Sequence, residues 1–527
     1  MRILFFLLFI TAGAVAQTPA VPANLKTLGT RSWIRLEWID RASDEQGFKV
    51  YWSEQNQKPL NPGATIDGGK QRYYIQGLRE ETQYYVWLEA YNKAGSSKAL
   101  STKVSTTKQW QLDKDELRNL DIASSSAVPA GMEIFWNDEF NDDLLNRNKW
   151  STNYYSNIDY LKKDNLSLMQ QDSLPQPGMT FNGHSINLFT NDSVPIRSFY
   201  PESGRKISSI QTYDWRTNEN YLDNSHGGYF EVRVKRSSTG NSKGINTAYW
   251  FDSPGPDLKN YLQQGTILDG VKGIRPKGQV FEIDVFENLD AQFVLHGHVD
   301  ERGAFLHNLA TDIAEGFTHV DQWVTHGLLW TPSSIKHYIN GKLIKAYDNK
   351  NQMYSPNHFM NVFLGSYGAG GQVNMEVDYI RAYNWPLENG NELPNPGFEE
   401  NTTLLPWEGN GTLSAASAKK GQYGVLLKPG QSIEQYVYLN NSKDYELTYW
   451  VKGKGKLKAT VDNLKQVSGD VEQSKDQTIA GESDYTEQRL KFQTGKEYGD
   501  YMKTIRVKFA NTGDTDLNMD DIEIRKR

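Results

Sequence analysis

The sequence predicts an all-β chain divided into three different domains, and three observations carry that reading. Short runs of β-branched and aromatic residues, split by turn clusters, recur along the chain, as in Ile34–Trp38, Phe48–Trp52 and Tyr84–Tyr91. Helical periodicity is scarce through the central segment. Two stretches rich in small residues, Pro, Gly and Asn, at Ala123–Pro129 and Pro386–Pro394, interrupt the strand signals and read as joints. No repeat of solenoid length recurs, so the blocks are distinct domains and not an array.

Residues 1–17 begin with an early Arg, continue as a short apolar run and end on Ala-x-Ala before Gln17. That is the pattern of a secretory signal peptide, too short for a stable membrane anchor. A protein secreted or periplasmic, soluble and monomeric is therefore expected. Residues 18–107 carry the first group of strands, with alternation and spacing suited to a sandwich of about seven strands. A linker is placed at 108–131, where Asp113–Arg118 has the makings of one or two helical turns. The central domain is placed at 132–387, a joint at 388–394 and the last domain at 395–527. A net charge of −7 and a pI near 5.8 argue against nucleic acid as the main partner. With no cysteine, the chain has no disulfide, thiolate metal site, cysteine nucleophile or lipidated Cys.

The chemistry concentrates in Val280–Glu287, which reads V-F-E-I-D-V-F-E. On a regular strand, residues two apart share a face, so Glu282 and Asp284 point one way while Glu287 points into the core. A β-bulge near Val285–Phe286 would insert one residue and reset that parity, bringing Glu287 onto the face of the other two. Three carboxylates on one surface suit retaining glycoside hydrolysis. That reaction needs a carboxylate nucleophile and a carboxylic acid roughly 5 Å apart. A third acid between them can help hold the two pKa values apart. A strand end bearing solvated acids stays open, although it leaves the uniformly apolar flanks unexplained.

All nine histidines fall between His184 and His358, and none has the H-E-x-x-H spacing of a zinc hydrolase. His296 and His298 would share one strand face, where they could bind a metal or serve as polar groove residues. His298 is taken as a substrate contact.

The segments Trp136–Phe140 and Leu144–Trp150 resemble the opening of glycoside hydrolase family 16. Gly204–Ser209, Gly228–Lys235, Gly327–Pro332, Tyr338–Gly341 and Val377–Tyr383 resemble its later strands in order. The resemblance implies a central β-jelly-roll of two curved antiparallel sheets and an open cleft for a polymer. It also implies roles: Glu282 the nucleophile, Asp284 the assisting carboxylate and Glu287 the general acid/base. No cofactor is implied for catalysis. Trp250 and, in an Asn-rich insertion, Trp215 are candidate stacking platforms for sugar rings. Trp136, Trp150, Trp323 and Trp330 are expected to pack. The chain lacks the Trp-Pro and the pre-nucleophile Gly of the usual β-1,3-glucanase pattern and has Phe286 for Met, which looks closer to red-algal galactanases. A basic scatter of Arg197, Arg205, Lys206, Arg216, Arg233, Arg236 and Lys243 could meet sulfate esters, with Arg233 taken as a substrate contact.

Leu78, Tyr84 and Trp38 resemble the plug, tyrosine corner and core Trp of a fibronectin type III domain. Asn395–Glu399 and Asn518–Glu523 resemble carbohydrate-binding modules of the family 4 and 9 type, which are β-sandwiches. That resemblance implies a structural calcium at Glu399 and Asp521, with Trp407 or Tyr436 as exposed sugar platforms. Glu139 and Asp378 fit a similar calcium site in the central domain. The expected function is endo-acting, retaining hydrolysis of an agar-, porphyran- or carrageenan-type galactan. A laminarinase-like β-1,3-glucanase and a noncatalytic polysaccharide-binding surface protein are the alternatives.

Overall fold

The computed structural model describes residues 17–29, 34–75, 78–79, 81–107, 127–152, 174–198, 201–214, 219–236, 244–252, 280–287, 292–298, 305–313, 320–348, 354–399, 403–465, 469–497 and 501–527. Side chains are described for fewer, since those of Gln292, His298 and the Phe305–Ile313 strand are not among them. Residues 1–16 of the signal-peptide stretch, most of the 108–131 linker with its expected helical turns, Trp215, Arg216 and Lys243 lie outside these residues. The described chain is all-β, and its named strands pair antiparallel throughout. No described helix is long and apolar enough to cross a membrane.

Two compact units emerge, Met1–Leu112 and Asp113–Arg527. In the first, a three-stranded sheet (Ala23–Gly29, Ile34–Ile39, Arg72–Ile75) accompanies a second sheet built on Gly47–Ser53 and Gln83–Asn92. Alternate residues Ile34, Leu36 and Trp38 enter a shared core with Phe48, Val50, Val86 and Leu88, and Leu78 packs against its edge. The Tyr84 hydroxyl accepts a hydrogen bond from the Arg79 backbone N–H at 3.0 Å, which ties the strand to the turn before it.

The second unit holds two sandwiches. One pairs an eight-stranded sheet with a six-stranded sheet. The eight-stranded sheet contains Gly228–Arg236, Val324–Trp330, Ser334–Ile339 and Val373–Asn384. The six-stranded sheet runs in spatial order Lys206–Gln211, Asn361–Gly368, Ile245–Asp252, Val280–Phe286, Gln292–His298, Phe305–Ile313. Between them lie aromatic contacts such as Phe230 with Phe251 at 5.3 Å and Phe293 with His337 at 4.6 Å. Trp136, Trp150 and Trp330 are fully buried as expected. Trp323 is not a core residue: it is half-buried, with the Arg233 and Lys235 cations over its ring.

The other sandwich pairs two five-stranded sheets over a core that includes Phe398, Leu447, Phe509 and Ile524. Trp407 belongs to that core at 2% exposure, and its indole N–H donates to the Asn395 carbonyl at 3.1 Å. The expectation that Trp407 is an exposed sugar platform is thereby corrected. It follows the cis Leu405–Pro406 bond, and its ring packs near Phe398 and Phe509.

Candidate active site

The Val280–Phe286 strand is pinned on both sides. Its register against Ile245–Asp252 pairs Glu282 with Asp252, Ile283 with Phe251 and Asp284 with Trp250, but then Phe286 with Tyr249. Two steps on one strand oppose one step on the other, so Val285 is the extra residue of a β-bulge. Phe281, Ile283, Val285 and Phe286 are all buried, and the parity beyond Val285 is reset. Glu287 emerges on the outer face, where its carboxylate accepts a hydrogen bond from Asn246 Nδ2 at 3.0 Å. Asn246, Trp250 and Asp252 are alternate residues of one strand and share that face.

On the other flank, His296 lies opposite Glu282 in register, and its Nε2 shares a 2.7 Å hydrogen bond with Asp284 Oδ2. Polar atoms of Glu282, Asp284 and His296 fall within 4.8 Å of one another. Such a trio could bracket a divalent ion, although Asp284 and His296 already engage each other. Asp284 is 3% exposed, whereas Glu282 and Glu287 are half-buried. Burial, then the charges of Glu287 and Asp252, push the Asp284 carboxyl well above the usual carboxylate range. Both causes favour the protonated form of this carboxyl, which already shares a hydrogen bond with His296.

Trp250 reaches this face beside Asp284 and stacks on Phe363 at 4.1 Å and 11°. One face of its ring is therefore occupied, and at 7% exposure it is a wall of the site more than an open platform. His298 lies on the same strand as His296, but its side chain is outside the described residues.

Arg233 does not belong to this face. It lies on the eight-stranded sheet, pairs with Asp378 and covers Trp323. The sequence shows a cation near a strand but not which sheet the strand joins. Arg197 is buried and donates to the carbonyls of Thr152 and Pro175, and Lys206 donates to the Asn191 carbonyl at 2.7 Å. These three cations of the expected sulfate-binding scatter already serve the fold.

Glu139 and Asp378, the calcium pair expected in the central domain, each meet an arginine. Glu139 receives Arg381 Nε at 2.9 Å and Nη2 at 2.7 Å, while Asp378 pairs with Arg233. In the last sandwich, Glu399 and Asp521 line one cleft. Glu399 accepts the backbone N–H groups of Gln422 at 3.0 Å and Tyr423 at 3.2 Å, and Lys419 Nζ lies 2.9 Å from Asp521. A cation between this pair would have to displace an ammonium and turn amide donors away.

Sequence reasoning missed Asn246, Asp252 and the assignment of His296 to Asp284. Alternation along Ile245–Asp252, which carries Trp250, was the signal available for the first two.

A jelly-roll sandwich with a bulged, three-carboxylate strand is the class that fold and site define. Residues 282–385 match the family model described as Glycosyl hydrolases family 16, and residues 20–107 match that of the fibronectin type III domain. A titin homolog of Caenorhabditis elegans is 27% identical over 104 residues, covering 19% of this chain. The chain spans only 1% of that curated relative's length. Among solved structures, a GlcNAcα1-4Gal-releasing endo-β-galactosidase from Clostridium perfringens is 17% identical, over 61% of this chain and 77% of that one, with TM-score 0.37. The non-specific endo-β-1,3(4)-glucanase SCLam is 16% identical, over 49% and 92%, with TM-score 0.31.

Proposed function

We propose that this chain is an exported, endo-acting, retaining β-glycoside hydrolase of polysaccharides. The observation that carries the reading is the Val285 bulge, which gathers Glu282, Asp284 and Glu287 on one face of the six-stranded sheet. In the first displacement the Glu282 carboxylate bonds to the anomeric carbon while the glycosidic C–O bond breaks. The Glu287 carboxylic acid gives its proton to the departing oxygen. In the second, Glu287 takes a proton from water, the water oxygen bonds to the same carbon, and Glu282 is released as carboxylate. Asp284, held by His296, orients and tunes Glu282 without reacting. The Asn246 amide fixes Glu287 where the leaving oxygen must pass.

The E-I-D-V-F-E strand with its departures from the β-1,3-glucanase pattern supports a red-algal galactan as substrate. Engagement of Arg197, Lys206 and Arg233 elsewhere favours the agar type over the sulfated porphyran and carrageenan types. Purified protein incubated with agar, porphyran, carrageenan and laminarin, with product sizing and proton NMR of the first anomer released, tests the reading. Oligosaccharides before monosaccharides, with the β-anomer first, are expected from agar. Initial release of the α-anomer would mean inversion and overturn the role of Glu282. Cleavage of laminarin alone would move the substrate to β-1,3-glucan and keep the mechanism.

A further inference from the structure

We infer a second, noncatalytic glycan-binding cleft at the junction of the jelly-roll and the C-terminal sandwich, taking a neutral segment of the polysaccharide; this rests on the hydrolase reading above. The junction is a locked contact. Asn357, fully buried, donates its side-chain amide to the Met502 carbonyl at 2.7 Å, and its own carbonyl accepts the Met502 N–H at 2.8 Å. His358 stacks on Tyr501 at 4.3 Å and 16°. Surfaces held this way present a preformed site, which lowers the ordering cost of binding.

Beside the lock runs a cleft of about 430 Å3, within the usual range for small-ligand sites. Tyr338 and Trp385 line it from the jelly-roll, and Tyr436 from the sandwich. All three are half-buried. Rings partly open on opposed walls, with hydroxyl and carboxylate groups around them, suit the apolar C–H faces and polar edges of sugars. Three carboxylates (Asp223, Glu392, Glu408) against the single ammonium of Lys336 make the lining net negative. Such a lining repels sulfate esters and selects a neutral chain. Tyr338 and Trp385 lie on and just beyond strands of the eight-stranded sheet, so the cleft shares no residue with the carboxylate face. A second hold on the polymer raises its effective concentration at the first.

The test uses the full chain carrying Glu282→Gln, titrated calorimetrically with a neutral agaro-hexaose and with a sulfated carrageenan hexaose. Two binding events per chain are expected for the neutral probe, and one after adding Tyr436→Ala. In the otherwise native chain, Tyr436→Ala should weaken retention on an agar gel at least about fivefold, with turnover of the soluble hexaose unchanged. Glu408→Lys, on the exposed rim, should admit the sulfated probe. A stoichiometry untouched by Tyr436→Ala, or equal binding of both probes at the Tyr436-dependent site, overturns the inference. Failure of the native chain to cleave any glycan would defeat the hydrolase reading, whereas a Tyr436-dependent binding event would still stand without it.

Discussion

The two sheets of the jelly-roll treat charge in opposite ways. On the eight-stranded sheet acids meet bases: Arg233 with Asp378, Lys235 with Glu376 at 3.1 Å, and Arg381 with Glu139 at 2.7 Å. On the six-stranded sheet burial first, then the charges of Glu287 and Asp252, raise the Asp284 pKa, and among the described residues its side-chain hydrogen bond is with the His296 imidazole. Paired charges settle a sheet, while crowded like charges tune proton affinity at a cost in stability. Reactivity belongs on the second.

The largest break in this contrast comes from the outer acids. Glu282→Gln and Glu287→Gln should each lower polysaccharide turnover by about 10³-fold or more, with an unchanged circular dichroism spectrum. Only Glu287→Gln should recover on an aryl glycoside whose leaving group departs without a proton. Equal recovery by both would remove the distinction between nucleophile and acid.

His337 sharpens the contrast from between the sheets. It is fully buried and stacked on Phe293, neither ring nitrogen has a hydrogen-bond partner among the described residues, and burial lowers its pKa to about 3. The unfolded chain binds a proton near pH 6.5 that the folded chain refuses. Stability from this group is therefore full above 6.5 and lost as pH falls toward 3. At pH 4 the loss is about 3 kcal/mol by linkage. His337→Phe should flatten the melting temperature between pH 6.5 and 4, and an unchanged acid slope would disprove it.

Asp284→Asn comes next, with a loss of activity of about 10- to 100-fold, smaller than for either Glu. Its stability effect has the opposite pH sign to that of His337. A carboxyl whose folded pKa is raised stabilises below pH 3.8 and loses that contribution as pH rises through the folded value. The Asn variant should therefore melt higher than the parent at neutral pH, and a lower melt would contradict the crowding. On the paired sheet, Arg381→Leu should cost about 1–2 kcal/mol, because the pair is partly screened, without changing kcat of the folded fraction. Smallest of all, chelation with EDTA should leave the melting temperature unchanged, since Glu399 and Asp521 already have partners. A fall of several degrees would restore the expected calcium.

The bulge was legible because a single misplaced acid in an otherwise alternating strand has few physical solutions. The tyrosine corner at Tyr84 was legible for the same reason, as a local hydrogen bond encoded within a few residues. Arg233 and Trp407 were misread, and the Arg381 partner of Glu139 was unseen, because such partners are distant in sequence. Which sheet a strand joins, and which core a Trp enters, are decided by contacts about 100 to 240 residues away, such as Arg233 with Asp378, Trp407 with Phe509 and Glu139 with Arg381. Asn246 and Asp252 were within reach, since their strand alternates as plainly as the carboxylate-bearing one.

The extra residue at Val285 also bears on how such a site can change. Without it the strand would read E-I-D-F-E, and simple alternation would set all three acids on one face. Gain or loss of one codon thus separates two ways of presenting the same chemistry, because the bulge lets Phe286 take the register position opposite Tyr249 that the next residue of a regular strand would hold. A lineage could cross between them in a single event and afterwards meet a differently shaped glycan with the same three residues.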